Sequence, residues 1–89
     1  LGMTGALWAV WLHLPELSMH YNRSGMASYR EGKLGQAEQQ FLQAISLHKD
    51  NADAHYNLGS LYEQLQQPDQ AVKEYLIAIA AGLPDAYNN

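Results

Sequence analysis

The sequence predicts an all-α fold, a solenoid of antiparallel helix-turn-helix repeats, and three observations carry that prediction. The first is a fixed period: Tyr21, Gly25, Ala37, Phe41 and Ala44 recur as His55, Gly59, Ala71, Tyr75 and Ala78, each pair 34 residues apart. The second is the residue type at those positions. Gly59, Ala71 and Ala78 are small where helical periodicity otherwise places bulk, so two helices approach closely there, and Leu58, Tyr62, Tyr75 and Ile79 fill the space alongside. Gly25, Ala37 and Ala44, with Phe41 and Ile45, repeat the arrangement. The third is punctuation, because Gly32, Pro68, Gly82 and Pro84 fall between the periodic stretches, where helices stop and start.

Taken in order, the chain opens with LGMTGALWAVWLHL, residues 1–14, which is apolar on nearly every side and carries no formal charge. Such a helix must be buried, pair with another chain or sit in lipid. Fourteen residues fall short of the roughly 20 that span a bilayer. Three readings compete: a cap or degenerate helix packed on the first repeat, the end of a longer membrane anchor with Trp8 and Trp11 at the interface, or a helix used for self-association.

The first repeat is expected over residues 15–51. Pro15 and Glu16 suit a first helical turn, so the leading helix runs from about Glu16 to Glu31 and stops at Gly32. Gly32-Lys33-Leu34-Gly35 is the short turn that makes its partner, Gly35 to His48, antiparallel. The second repeat is expected over residues 52–84. Asp50 and Asn51 are good N-cap types, the next helix carries Ala54, His55, Leu58, Leu61, Tyr62 and Leu65, and Pro68 opens the last helix, which continues to Gly82 before Pro84. The tail, residues 85–89, reads as the opening of a further repeat.

The pattern resembles the tetratricopeptide repeat, whose signature is an aromatic, then x2-Leu-Gly-x2-Tyr, then Ala-x3-Phe, then a closing Pro. His55-x2-Leu58-Gly59-x2-Tyr62 and Ala71-x3-Tyr75 carry the resemblance in the second unit, with His in the aromatic place and Pro84 one residue late. In the first unit Tyr21, Gly25, Ala37, Phe41 and Ala44 fit, while Ser24 and Ser28 replace Leu and Tyr, and Lys49 stands where Pro is usual. The resemblance implies a right-handed array.

Composition narrows the partners. A formal net charge of −4, with basic residues only at Arg23, Arg30, Lys33, Lys49 and Lys73, gives no stripe on which nucleic-acid phosphates are neutralised. Charged residues are 16% of the chain against the roughly 25% usual for soluble domains, so much of the surface is apolar or neutral polar. The chain has no cysteine, which excludes disulfides and cysteine-ligated zinc. Cytoplasmic and membrane-anchored locations both stay open.

No catalytic constellation, metal site or cofactor site is read from the sequence. His13, His20, His48 and His55 lack the paired spacing of zinc ligands, and His55 reads as a packed side chain in the aromatic place. Ser24, Ser28 and Ser60 lack a nucleophile elbow, Glu38 and Glu63 fall on different helices, and Gly32 and Gly35 lack the Lys-Ser/Thr of a phosphate loop. Asn22-Arg23-Ser24 matches a glycosylation sequon in mid-helix.

The resemblance implies instead a non-catalytic protein-interaction module, with the leading helices lining a concave groove for a peptide or partner helix. Met19, Asn22, Arg23, Met26, Tyr29 and Arg30 would line it from the first unit. Asp53, Tyr56, Asn57, Ser60, Glu63 and Gln64 would line it from the second. Tyr29 and Tyr56 would anchor a ligand, and Arg23, Asn22 and Asn57 would hydrogen-bond it. One subclass of the family clamps a terminal carboxylate with Lys, Asn and Arg; Asn57 matches one such position, but the leading helices lack Lys, which argues against that use. Two alternatives are a recruiting or regulatory arm of a larger multidomain enzyme and a membrane-anchored assembly factor. Because about three repeats are usually needed for stability, self-association through the apolar helix or by repeat stacking is also expected.

Overall fold

A computed structural model describes residues 13–82. The apolar run over residues 1–12 and the tail over residues 83–89, Pro84 included, lie outside the described residues, and with them the expected cap, anchor and further repeat. Four helices follow in order: α1 (Leu14–Arg30), α2 (Leu34–Leu47), α3 (Ala52–Gln64) and α4 (Pro68–Ala80). The most extensive contacts are α1 with α2 and α3 with α4. Smaller ones join α2 to α3 and α1 to α3, so two antiparallel hairpins stack in sequence and the leading helices α1 and α3 lie side by side. The fold is an all-α helical repeat.

Helix α1 begins two residues earlier than the expected Glu16. Leu17 N–H donates to His13 C=O at 3.0 Å and closes the first turn, and Pro15, which has no N–H, costs nothing among the unpaired first-turn donors. Likewise α2 starts at Leu34 rather than Gly35, with Ala37 N–H bonded to Lys33 C=O at 2.9 Å. Asn51 caps α3 as its residue type suggests: its side-chain oxygen accepts from Ala54 N–H at 3.0 Å. Pro68 is the first residue of α4.

Helices α1 and α3 end in the same way. Gly32 N–H bonds to Tyr29 C=O and Lys33 N–H to Ser28 C=O, while one repeat later Gln66 N–H bonds to Glu63 C=O and Gln67 N–H to Tyr62 C=O. This double bond pattern turns the chain through a left-handed residue. Gly32 takes it at φ 79°, and Gln66 is held there at φ 59° although it carries a Cβ.

The core joins the hairpins. Ala37, Phe41, Leu58, Leu61, Tyr62 and Ala71 are buried together, with Tyr29, Leu34, Ile45 and Tyr75 packed against them. The small-against-aromatic seam expected from the 34-residue spacing is present in both units. A Cβ on Gly25 would lie 2.6 Å from the Phe41 ring, and one on Gly59 would lie 2.7 Å from the Tyr75 ring and 3.2 Å from Ala71 C=O. Only glycine admits those rings so close to the helix axis.

Polar ties complete the stack. Ser18 Oγ donates to Ala44 C=O at 2.6 Å and accepts from Asn51 Nδ2 at 2.8 Å, so one buried hydroxyl links α1, α2 and the cap of α3. Ser28 Oγ donates to Gln40 Oε1 at 2.6 Å, and the Tyr62 hydroxyl donates to Glu38 Oε2 at 3.0 Å across the hairpins. His55 is buried in the aromatic place and bonded at both ring nitrogens, with Nε2 2.8 Å from Lys49 C=O and Nδ1 2.7 Å from Glu74 Oε1. A sequence reading treats this residue as a packing group; here it is also a polar clasp between α3, α4 and the loop before α3.

Candidate binding groove

Two adjoining clefts run between α1 and α3. One, of about 290 Å³, is lined by Met26, Tyr29, Arg30, Phe41, Asn57 and Ser60. The other, of about 370 Å³, is lined by Met19, Asn22, Arg23, Met26, Asp53 and Asn57. Met26 and Asn57 belong to both, so the clefts form one continuous groove. Periodicity explains the grouping: Met19, Arg23, Met26 and Arg30 follow at intervals of four, three and four residues along one face of α1, and Asp53, Asn57 and Ser60 do the same on α3.

The expected groove residues are not placed alike. Met19, Arg23, Met26, Arg30 and Asp53 are exposed, and Tyr29 and Ser60 are half-buried. Asn22 is buried, and its Oδ1 accepts from Asn57 Nδ2 at 2.9 Å, so the two amides form a bridge across the floor between the repeats. The same burial removes the Asn22 amide of the sequon from the surface. Tyr56, Glu63 and Gln64 are exposed and line neither cleft. Tyr56 and Glu63 meet at Tyr75 instead: the Tyr56 and Tyr75 rings lie 5.4 Å apart between centroids, and the Tyr75 hydroxyl donates to Glu63 Oε1. With that hydrogen committed, Ser60 Oγ donates to the Tyr75 oxygen at 3.2 Å.

Phe41, a core residue by its period, also forms part of a cleft wall. The close approach at Gly25 is what brings its ring there. Tyr75, likewise read as a packing residue, organises the far end of α3. Burial first, then the bond to Glu63, pushes its hydroxyl up to about 12, with Ser60 pulling the other way. Burial and the Glu38 bond raise Tyr62 to about 12 as well. Both phenols therefore stay protonated donors through the neutral range.

Among the described residues no group of three His, Asp or Glu side chains is arranged to hold a metal ion. No helix among them is long and apolar enough to cross a membrane.

Comparison with known families agrees with this architecture. A family model described as TPR repeat matches residues 25–66, and another described as Tetratricopeptide repeat matches residues 52–81. A comparison with curated proteins gave no match. Repeats of this family generally mediate protein–protein interaction, and the family is typically non-catalytic. The two matches overlap on α3 and together span the last third of α1 through α4, over the same seams and turns that set the hairpins; the chain belongs to the tetratricopeptide repeat family.

Proposed function

We propose that this chain is a protein-interaction module without catalysis of its own, which holds a peptide or a helix of a partner protein in the groove between α1 and α3. The observation that supports this reading is the pair of connected clefts, with thioethers and the Tyr29 ring for apolar side chains and Asn57, Ser60 and Arg30 for polar ones. A groove that mixes apolar wall with a few placed polar groups is the usual form of a recognition site.

The test is to select peptides against the full chain from a random display library and follow amide chemical shifts on titration. Shifts concentrated in α1 and α3, with binding weakened by Arg23→Ala or Tyr29→Ala while the thermal transition persists, are expected. Shifts confined to the outer faces of α2 and α4 would contradict the groove reading.

A further inference from the structure

Five basic side chains are present in a chain of net charge −4, and two of them, Arg23 and Arg30, stand on the groove face of α1. Both are exposed, and neither is in an ion pair among the described residues, where the pairs are His13–Glu16, Lys33–Glu31 and His55–Glu74. They are seven residues apart, two helical turns or about 10 Å. Met19 and Met26 alternate with them, so the wall presents thioether, guanidinium, thioether, guanidinium.

The two clefts differ in charge balance. In the larger one Arg23 shares the lining with Asp53, so a cation and an anion already stand together. In the smaller one Arg30 has Tyr29, Asn57 and Ser60 around it and no carboxylate in the lining. Glu63, the acid nearest in sequence to Ser60, is engaged by the Tyr75 hydroxyl and lines neither cleft. A guanidinium with open donors beside neutral hydrogen-bonding groups favours a carboxylate. The methionines beside it accept apolar side chains of varied shape.

We propose that the occupant of this groove is an acidic, apolar-containing segment of a partner protein. One carboxylate pairs with Arg30, and an adjacent bulky apolar side chain lies over Met26 and Tyr29. This inference rests on the groove reading above and adds the chemistry of the ligand. The attraction is local to the Arg30 guanidinium, and that pair weakens as salt rises.

The experiment uses a random peptide display library on the full chain, on Arg30→Gln and on Arg30→Glu, with affinities of the selected peptides measured at low and high salt. The expected result is enrichment of acidic residues beside aromatic or large aliphatic ones. Loss of about tenfold in affinity in Arg30→Gln is expected, the equivalent of one charged hydrogen bond, together with a shift of selection away from acids in Arg30→Glu. Enrichment of neutral or basic peptides whose binding still depends on Asn57 and Tyr29 would overturn the acidic ligand while leaving the groove in place. An absence of binders, or binders indifferent to every groove substitution, would overturn both.

Discussion

In the first hairpin α1 buries Ser18, Asn22, Gly25 and Ser28, whereas in the second α3 buries Ala54, His55, Leu58, Gly59, Leu61 and Tyr62. The positions correspond across the 34-residue period: Ser24 stands where the second unit has Leu58, and Ser28 where it has Tyr62. Helix α3 is therefore anchored by apolar burial, at about 1.5–3 kcal/mol for each fully buried large side chain. Helix α1 is anchored by the half-buried Tyr29, by a glycine contact on Phe41 and by hydrogen bonds whose net worth is about 1 kcal/mol each. One spacing thus produces two kinds of attachment. The groove has a firmly held wall, α3, and a more weakly held wall, α1, which carries the Met–Arg stripe.

Substitution at paired positions sharpens this contrast. Phe41 and Tyr75 occupy the same place in the two units, but Phe41 is 1% exposed and closes the junction of the hairpins, while Tyr75 is only partly buried. Phe41→Ala is expected to destabilise by about 3–5 kcal/mol and Tyr75→Ala by about half as much. Urea unfolding measures both, and equal losses would remove the distinction between the hairpins.

The next effect belongs to α1. Ser18→Ala deletes a buried hydroxyl, leaving Asn51 Nδ2 without its acceptor and Ala44 C=O with the His48 N–H alone, a loss of about 1–3 kcal/mol. A change below a few tenths of a kcal/mol in the same titration would mean that α1 is held by something other than this link.

A gain is expected at Gln66. At the corresponding turn of the first hairpin the left-handed residue is Gly32, so Gln66→Gly relieves a conformation that a side chain disfavours. Stabilisation by about 0.5–1 kcal/mol is expected from the thermal midpoint.

The last contrast shows itself only at alkaline pH. Tyr62 and Tyr75 have hydroxyls raised from 10.0 to about 12, so the folded state holds their protons more tightly than the unfolded chain does. Their contribution is fully present below pH 10.0 and is lost as pH rises towards about 12. The first unit has Ser28 and Phe41 at these positions, with no phenol there to titrate. Tyr62→Phe should flatten the alkaline decline of stability, and an unchanged slope would count against the Glu38 and burial effects on that hydroxyl.

Much of this was legible in the sequence, for a definite reason. Gly25 with Phe41 and Gly59 with Tyr75 are complementary in size and recur together, so the packing seam shows in residue type and spacing alone. The cleft lining was legible only in part: the exposed face of α1 follows from helical period, but Tyr56, Glu63 and Gln64 line neither cleft, Tyr56 and Glu63 being drawn to Tyr75. Polar ties were not. Ser18 bonds a backbone carbonyl 26 residues away, and His55 meets a carboxylate 19 residues on, partners that no local pattern marks. The turn at Gln66 was hidden because glutamine stands in a place glycine usually fills. Phe41 and Tyr75 were visible as packing residues, but their second role beside the groove depends on how closely the helices approach.

The inequality of the two groove walls is tested most directly by native-state hydrogen exchange, resolved by residue, on the full chain. Amides in the centre of α3 and in α2 around Phe41 should exchange only through the largest openings, and those of α1 around Asn22 to Ser28 through openings at least about 1 kcal/mol smaller. Protection in α1 equal to that in α3 would contradict the account.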